Sequence, residues 1–258
     1  MNFRSILAAS AAVLLSSAAA NAAQVAALVG GDTIAMVDTA QKKATGSVKV
    51  TGISGVLVGI DVRPADGMLY GLVDDGTVVT IAADGKATMK SKLDTMLAKG
   101  VAATVDFNPV ADRLRVMGAD GMNLRANVDD GKVTKDGDHK YAESDMHKGE
   151  KPNIVAGAYT NSVKGAKETA LFNIDATIGG LIKQAPPNDG VLGAIGKLGI
   201  KVTDAAFHIW SDGAGKNEAW LMSGGTLYSI DLVTGKATEA AKITGVSGTV
   251  KDIAIMGM

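Results

Sequence analysis

Thr33–Val62, TIAMVDTAQKKATGSVKVTGISGVLVGIDV, returns near the C-terminus as Thr226–Ile255, TLYSIDLVTGKATEAAKITGVSGTVKDIAI. The offset is 193, and eleven of the thirty positions are identical without a gap, among them Thr33/Thr226, Asp38/Asp231, Lys43-Ala44-Thr45 against Lys236-Ala237-Thr238, and Thr51-Gly52 against Thr244-Gly245. Self-similarity of this kind marks a repeat architecture. A second copy lies at an offset of 45, where Asp61, Pro64, Leu69, Asp75, Gly76 and Asp84 meet Asp106, Pro109, Leu114, Asp120, Gly121 and Asp129.

Within each copy, short runs of alternating β-branched and apolar residues are separated by Asp/Gly turns, the pattern of antiparallel strands. Four runs make one repeat: Val58–Arg63, Met68–Val73, Thr77–Ala82 and Ala87–Lys92, and then Ala103–Asn108, Arg113–Gly118, Met122–Asn127 and Lys132–Lys135. A less regular unit follows with first strand Val155–Thr160, then a plain one whose strands begin at Asp204, Ala219, Thr226 and Ala237. A lone first strand, Lys251–Met256, remains at one end, and at the other a set lacking its first strand: Val25–Val29, Thr33–Asp38 and Ala44–Val50. These complete each other. Such complementarity predicts an all-β fold, a β-propeller of five four-stranded blades closed by the C-terminal strand joining the N-terminal blade. An open β-solenoid or sandwich is the alternative, but an open stack needs no split repeat.

The stretch Asn108-Pro109 to Asp112-Arg113-Leu114-Arg115-Val116, then Asn123–Asp129, Ala158-Tyr159-Thr160-Asn161 and Gln184–Gly190, resembles the uncharacterised bacterial domain-of-unknown-function family 4394 over nearly the whole chain after residue 22. The resemblance implies an exported β-propeller. It implies no activity and assigns no residue a role.

Residues 1–22 read as a secretory signal peptide, with Arg4 as the positive end, Ile6–Leu15 as the apolar run and Ala20-Asn21-Ala22 as the cleavage site. The expected location is periplasmic or extracellular in a bacterium, with residues 23–258 forming one propeller domain and no membrane anchor. With no cysteine in the chain, disulfides and thiolate metal sites are excluded and stability must come from burial. The formal charge is −1 with charges scattered singly, which argues against a nucleic-acid footprint or a polybasic membrane face. A monomer is expected.

Asp61 and Asp106 occupy the same place in neighbouring first strands, so both are expected near the axial channel, where two carboxylates suit Ca²⁺ or another divalent ion, or acid/base work. Counting along the repeat puts Ala158, Ala206 and Ala254 at that level, and Arg63, Asn108, Thr160, His208 and Met256 in a second ring two residues on. The plainer reading is that each Asp satisfies backbone or a neighbouring Arg. Arg113, Arg115 and Arg125 concentrate polar reach in the third blade; they suit an acidic ligand or, equally, pair with Asp106 and Asp129 between blades. The polar insertion Asp136–Pro152 carries His139, Glu143, Asp145, His147 and Glu150, but its spacing matches no metal motif, and a solvated loop is the expectation. With four Phe, four Tyr and two Trp in the chain, an aromatic sugar platform is poorly supported by composition; Trp210 and Trp220 flank the Ser211–Asn217 hairpin and are placed to pair across it.

No nucleophile elbow, phosphate loop or nucleotide fingerprint is present. The first expectation is therefore a non-catalytic extracytoplasmic propeller that binds a small molecule, a glycan or a protein, through positions such as Asp61, Arg63, Asp106, Asn108, Arg115, Arg125 and His208. The alternatives are a metal-dependent, lactonase-like hydrolase or lyase with an axial site, and a structural envelope or surface component.

Overall fold

The computed structural model describes residues 23–202 and 204–257; the expected signal peptide lies outside the described residues. The strands fall into five sheets. In chain order they are β1 (Gln24–Val29), β2 (Thr33–Asp38) and β3 (Lys43–Lys49), then β4 (Leu57–Val62), β5 (Leu69–Val73), β6 (Thr77–Ile81) and β7 (Ala87–Lys92). Next come β8 (Ala103–Asn108), β9 (Arg113–Gly118), β10 (Asn123–Ala126) and β11 (Val133–Lys135), followed by β12 (Lys140–Tyr141), β13 (Ile154–Tyr159), β14 (Leu171–Asp175), β15 (Gly180–Gln184) and β16 (Val191–Lys197). The chain ends with β17 (Ala206–Ser211), β18 (Asn217–Ser223), β19 (Thr226–Ile230), β20 (Ala237–Lys242) and β21 (Val250–Gly257).

Blade 1 has the order β21-β1-β2-β3, so the last strand of the chain closes the sheet that the first strand began. It pairs antiparallel with β1, from Gln24 opposite Gly257 to Val29 opposite Val250. Blades 2, 3 and 5 are β4–β7, β8–β11 and β17–β20, and blade 4 is β13–β16 with β12 added beyond β16. Each inner strand packs against the inner strands of the blades on either side, β21, β4, β8, β13, β17 and back to β21. The expected five-bladed ring is what the chain forms.

The burial pattern follows from this arrangement. A blade is covered on both faces by its neighbours, so a middle strand such as β5, LYGLV, is buried at every position. Outer strands keep one edge in water: β3, KATGSVK, and β7, ATMKSK, are mostly exposed, and their lysines make the rim a poor template for strand addition. The apolar core is divided into wedges between blades. Ile253 and Ile255 of β21 meet Ala206, Met222 and Leu227 of blade 5, while Ala26 and Leu28 meet Leu57 and Ile60 of blade 2. Between blades 3 and 4 the apolar wedge shrinks to Met117, Tyr159 and Leu171.

A polar network fills that junction instead. Arg115 is fully buried and donates to the Tyr159 hydroxyl at 3.1 Å, Asn123 Oδ1 at 2.9 Å, Asp136 Oδ2 at 2.5 Å and Asn188 Oδ1 at 2.8 Å. The insertion expected as a solvated loop is thus docked. Its Asp136 sits beneath Arg115 and Arg125, β12 pairs parallel with β16, and the Tyr141 hydroxyl donates to Asp175 at 2.5 Å. A buried guanidinium demands a carboxylate and a full set of acceptors, and the insertion supplies them.

Candidate functional site

Three inner strands, β4, β8 and β17, bring Asp61, Asp106 and His208 together at the axis. His208 Nδ1 lies 3.5 Å from Asp61 Oδ1 and 3.6 Å from Asp106 Oδ2. Among the described residues this is the group of His, Asp and Glu side chains close enough to share one metal ion, with one ligand atom from each lying within 4.8 Å of the others. All three are buried: Asp61 and Asp106 are 1% exposed and His208 4%.

Counting along the repeat separated His208 from the two carboxylates by two residues; the structure does not. In blade 5, β17 runs from Ala206 to Ser211 rather than from Asp204 to Ile209. That shift carries His208, opposite Trp220 in the β17–β18 ladder, to the level of Asp106, which faces Arg115 in blade 3. Blade 1 holds a residue that the repeat did not reveal. Asp252, 4% exposed, has its carboxyl pKa raised by burial and by the charge of Asp61, and the gapless offset had paired it with Gly59. A side chain at Gly59 would press within 2.9 Å of Asp252 Oδ2 and 2.5 Å of Val105 Cγ2, so the glycine makes room for the carboxylate.

Each carboxylate performs one structural task. An inner strand has its outward ladder edge paired and its inward edge bare, and a bare buried N–H costs about 1–3 kcal/mol. Asp252 Oδ2 accepts from Ile60 N at 2.9 Å, Asp61 Oδ2 from Phe107 N at 2.7 Å, and Asp106 Oδ1 from Tyr159 N at 2.9 Å. Every one of these bonds passes to the inner strand of the next blade, a staple from blade 1 to 2, 2 to 3 and 3 to 4. Asp61 Oδ1 and Asp252 Oδ1 also accept from the following residues, Val62 N at 2.7 Å and Ile253 N at 3.0 Å.

The electrostatics reflect three carboxyls in a dry place. Burial, reinforced by the charge of Asp106, pushes the Asp61 carboxyl up to about 8. Burial likewise raises Asp106 and Asp252 well above the ordinary range and pushes the His208 imidazole down.

The other sequence candidates lie away from the axis, committed to partners. Arg63, 5% exposed, is gripped by Asp112 at 2.8 and 2.6 Å and by Asp129 at 3.1 and 2.8 Å, tying blade 2 to blade 3. The partners of Asp129 are therefore Arg63 and Lys90, one blade back, rather than Arg113, Arg115 or Arg125. Arg125 forks onto Asp136 at 2.9 and 3.0 Å. Asn108 Oδ1 caps its own turn, accepting from Val110 N at 3.0 Å and Ala111 N at 2.9 Å. In the insertion His147 Nδ1 lies 3.1 Å from Glu150, Glu143 pairs with Lys148, and Asp145 accepts from Ala194 N at 2.7 Å, so these side chains do not converge.

Concave surfaces lie between the blades. The groove between blades 5 and 1, about 750 Å³, is lined by Trp210, Trp220, Leu227 and Ile230 with Lys216, Glu218, Ser229 and Thr39. Trp210 stands opposite Glu218 and Trp220 opposite His208, so the two indoles lie diagonally on one face of the hairpin rather than directly across it. A second groove, about 610 Å³ between blades 1 and 2, is lined largely by apolar residues including Met36, Met68 and Met256.

A closed ring of five four-stranded blades around a sealed carboxylate–imidazole cluster defines a β-propeller with a filled axis rather than an open channel. The chain belongs to the family described as Domain of unknown function (DUF4394), whose model matches residues 33–254. Among solved structures, it resembles a protein of unknown function from Bacteroides thetaiotaomicron at 16% identity, with a TM-score of 0.52 over 89% of this chain and 58% of that one. Another protein of unknown function, from Bacteroides caccae, matches at 13% identity and a TM-score of 0.46 over 88% of this chain and 76% of that one. The computationally designed Ika8 protein matches at 14% identity and a TM-score of 0.41 over 87% of this chain and 63% of that one. No curated protein matches the sequence. The first of these likenesses, at a TM-score of 0.52, supports the fold alone.

Proposed function

We propose that the chain is an exported, non-catalytic binding propeller that takes a glycan in the groove between blades 5 and 1. The observation that carries this reading is the placement of both tryptophans of the chain, Trp210 and Trp220, in one open groove of about 750 Å³. Ligand sites are concave, of roughly 300–1,000 Å³, apolar in body with a few polar groups that fix orientation. Indole faces with a hydroxyl, carboxylate and ammonium fringe fit the alternating apolar and hydroxyl faces of a sugar. Export rests on the signal-peptide reading of residues 1–22. No helix among the described residues is long and apolar enough to cross a membrane, and that is silent on location.

The hydrolase alternative places its chemistry at the axis. Exposures of 1%, 1% and 4% at Asp61, Asp106 and His208 weigh against it, because a substrate cannot reach carboxylates closed to anything larger than an ion or a water.

Since the chain has two tryptophans and both line the groove, intrinsic fluorescence reads the site directly. Titration with a panel of bacterial surface oligosaccharides is expected to shift the emission for one structural class, and Trp210→Ala is expected to weaken that binding at least tenfold while leaving the fold intact. A panel without a responder, or a responder that Trp210→Ala binds as well as wild type, sinks the reading. Fractionation of the producing cell checks export separately.

A further inference from the structure

We infer that Asp61, Asp106 and His208 form an axial binding site for one divalent transition-metal ion of the zinc class, and that the ion acts as a central tie between blades 2, 3 and 5. The site is distinct from the tryptophan groove, and each proposal stands or fails alone.

Geometry comes first. Hydrogen-bonded nitrogen and oxygen atoms lie about 2.7–3.2 Å apart, whereas His208 Nδ1 stands 3.5 Å and 3.6 Å from its two carboxylate neighbours. Those separations are too long for hydrogen bonds. They suit the edges of a tetrahedron: ligands at about 2.0–2.2 Å from zinc are roughly 3.3–3.6 Å from one another. The imidazole is also placed almost evenly between the two oxygens, as a co-ligand is, instead of leaning on one as a hydrogen-bond partner does.

Orientation follows. A metal-binding carboxylate is held by bonds to its outer atoms. Phe107 N holds Asp61 Oδ2 and Tyr159 N holds Asp106 Oδ1, which turns Asp106 Oδ2 and Asp61 Oδ1, the latter also accepting from Val62 N, to His208. The staples that join the blades thus also aim the two oxygens.

Charge points the same way. Asp61, Asp106 and Asp252 are all buried, and among the described residues no Lys or Arg forms an ion pair with any of them. Isolated buried carboxylates are strongly disfavoured and call for protons or a cation. Asp252, stapled to Ile60 N, stays outside the ligand set and adds negative potential from the side of blade 1.

Donor type selects the ion. Ca²⁺ takes six to eight oxygens and Mg²⁺ near-octahedral oxygen, whereas imidazole with two carboxylates suits zinc and its first-row neighbours. The sequence reading offered Ca²⁺ on two carboxylates; the arrival of His208 moves the preference.

The test is equilibrium dialysis of chelator-treated full-length protein against Zn²⁺, Ca²⁺ or Mg²⁺, with metal analysis and thermal unfolding. One Zn²⁺ per chain is expected, with a midpoint rise of about 5–10 °C at a hundredfold the Kd, and no comparable effect of Ca²⁺ or Mg²⁺. Asp106→Asn keeps an oxygen for Tyr159 N and so tests the ligand without removing the staple; His208→Gln is its counterpart. Both are expected to lose zinc by at least a hundredfold in affinity, while His147→Ala, in the insertion, retains it. Absence of stoichiometric zinc, equal uptake of Ca²⁺, or zinc retained by both Asp106→Asn and His208→Gln would overturn the assignment.

Discussion

His139 is 7% exposed, and among the described residues neither ring nitrogen has a hydrogen-bond partner. Burial first, and the charge of Arg115 second, push its pKa down to about 4 from 6.5. The unfolded chain therefore binds the proton that the folded one refuses: stability from this group is present above about 6.5 and is lost as pH falls towards 4. His139→Leu removes the two orphaned nitrogens and the titration together. In urea unfolding it is expected to be more stable than wild type by roughly 1 kcal/mol at pH 7.5, and by a further 1–2 kcal/mol at pH 5. The axial carboxyls are common to both proteins and cancel in the difference. A difference that stays flat between the two pH values refutes a neutral buried imidazole. His139 illustrates what the sequence withholds at this scale: its position in a polar insertion says solvent, and only its docking against Arg115 and β16 says otherwise. Asp61 and Asp106 were legible because their repeats align without a gap. His208 and Asp252 were displaced by two residues, one by the later start of β17 and the other by bulges in the β1–β21 ladder, and neither irregularity leaves a mark on a period of two.

At the scale of elements, the Asp/Gly turns announced themselves as punctuation, and the structure gives them a second task. The turn between the third and fourth strands of a blade docks on the outer strand of the blade before it. Gly85 lies against the Lys49 carbonyl and receives Thr51 N at 3.0 Å; Gly131 lies against the Lys92 carbonyl and receives Asp94 N at 3.0 Å; Gly235 meets the Gly196 carbonyl. Gly131 combines φ +76° with a contact that a methyl group would overlap, so both its backbone and its space require glycine. Gly131→Ala is expected to cost about 2–4 kcal/mol in chemical unfolding. In blade 1 the turn carries Lys42 at φ 56°, with its carbonyl receiving Thr244 N at 3.1 Å. There the left-handed strain relieved by Lys42→Gly and the added freedom of the unfolded chain nearly offset each other, so a change within about 0.5 kcal/mol is expected. Equal effects at the two positions would show that close approach plays no part. The turns were readable from local chemistry. Their contacts were not, because each joins segments far apart along the chain and no local pattern encodes the partner.

The whole molecule depends on closure, and closure was legible because an unpaired first strand at one end matched a blade missing its first strand at the other. The energetic weight of that match falls on β21. Its Ile253 and Ile255 belong to the wedge between blades 5 and 1, its Ala254 to the wedge between blades 1 and 2, and its Asp252 staples Ile60. Deleting residues 250–258 uncovers two wedges and an inner strand edge at once, whereas loss of an outer strand uncovers one flank. The deleted chain is expected to lose its cooperative thermal transition altogether. A circular permutant separates this from mere chain length. Gln24 and Gly257 are ladder partners, so a short linker joins them without strain, and new ends opened between β7 and β8 leave every blade whole. The permutant is expected to melt in one transition within a few degrees of the parent, although its folding rate changes, because the β1–β21 pairing becomes local while the contacts between blades 2 and 3 become the most distant along the chain. A truncated chain that still melts cooperatively at the parental midpoint would mean that the wedges, rather than the closed ring, set stability. A permutant that fails while its blades are intact would mean that the order in which blades form, rather than closure itself, governs the fold.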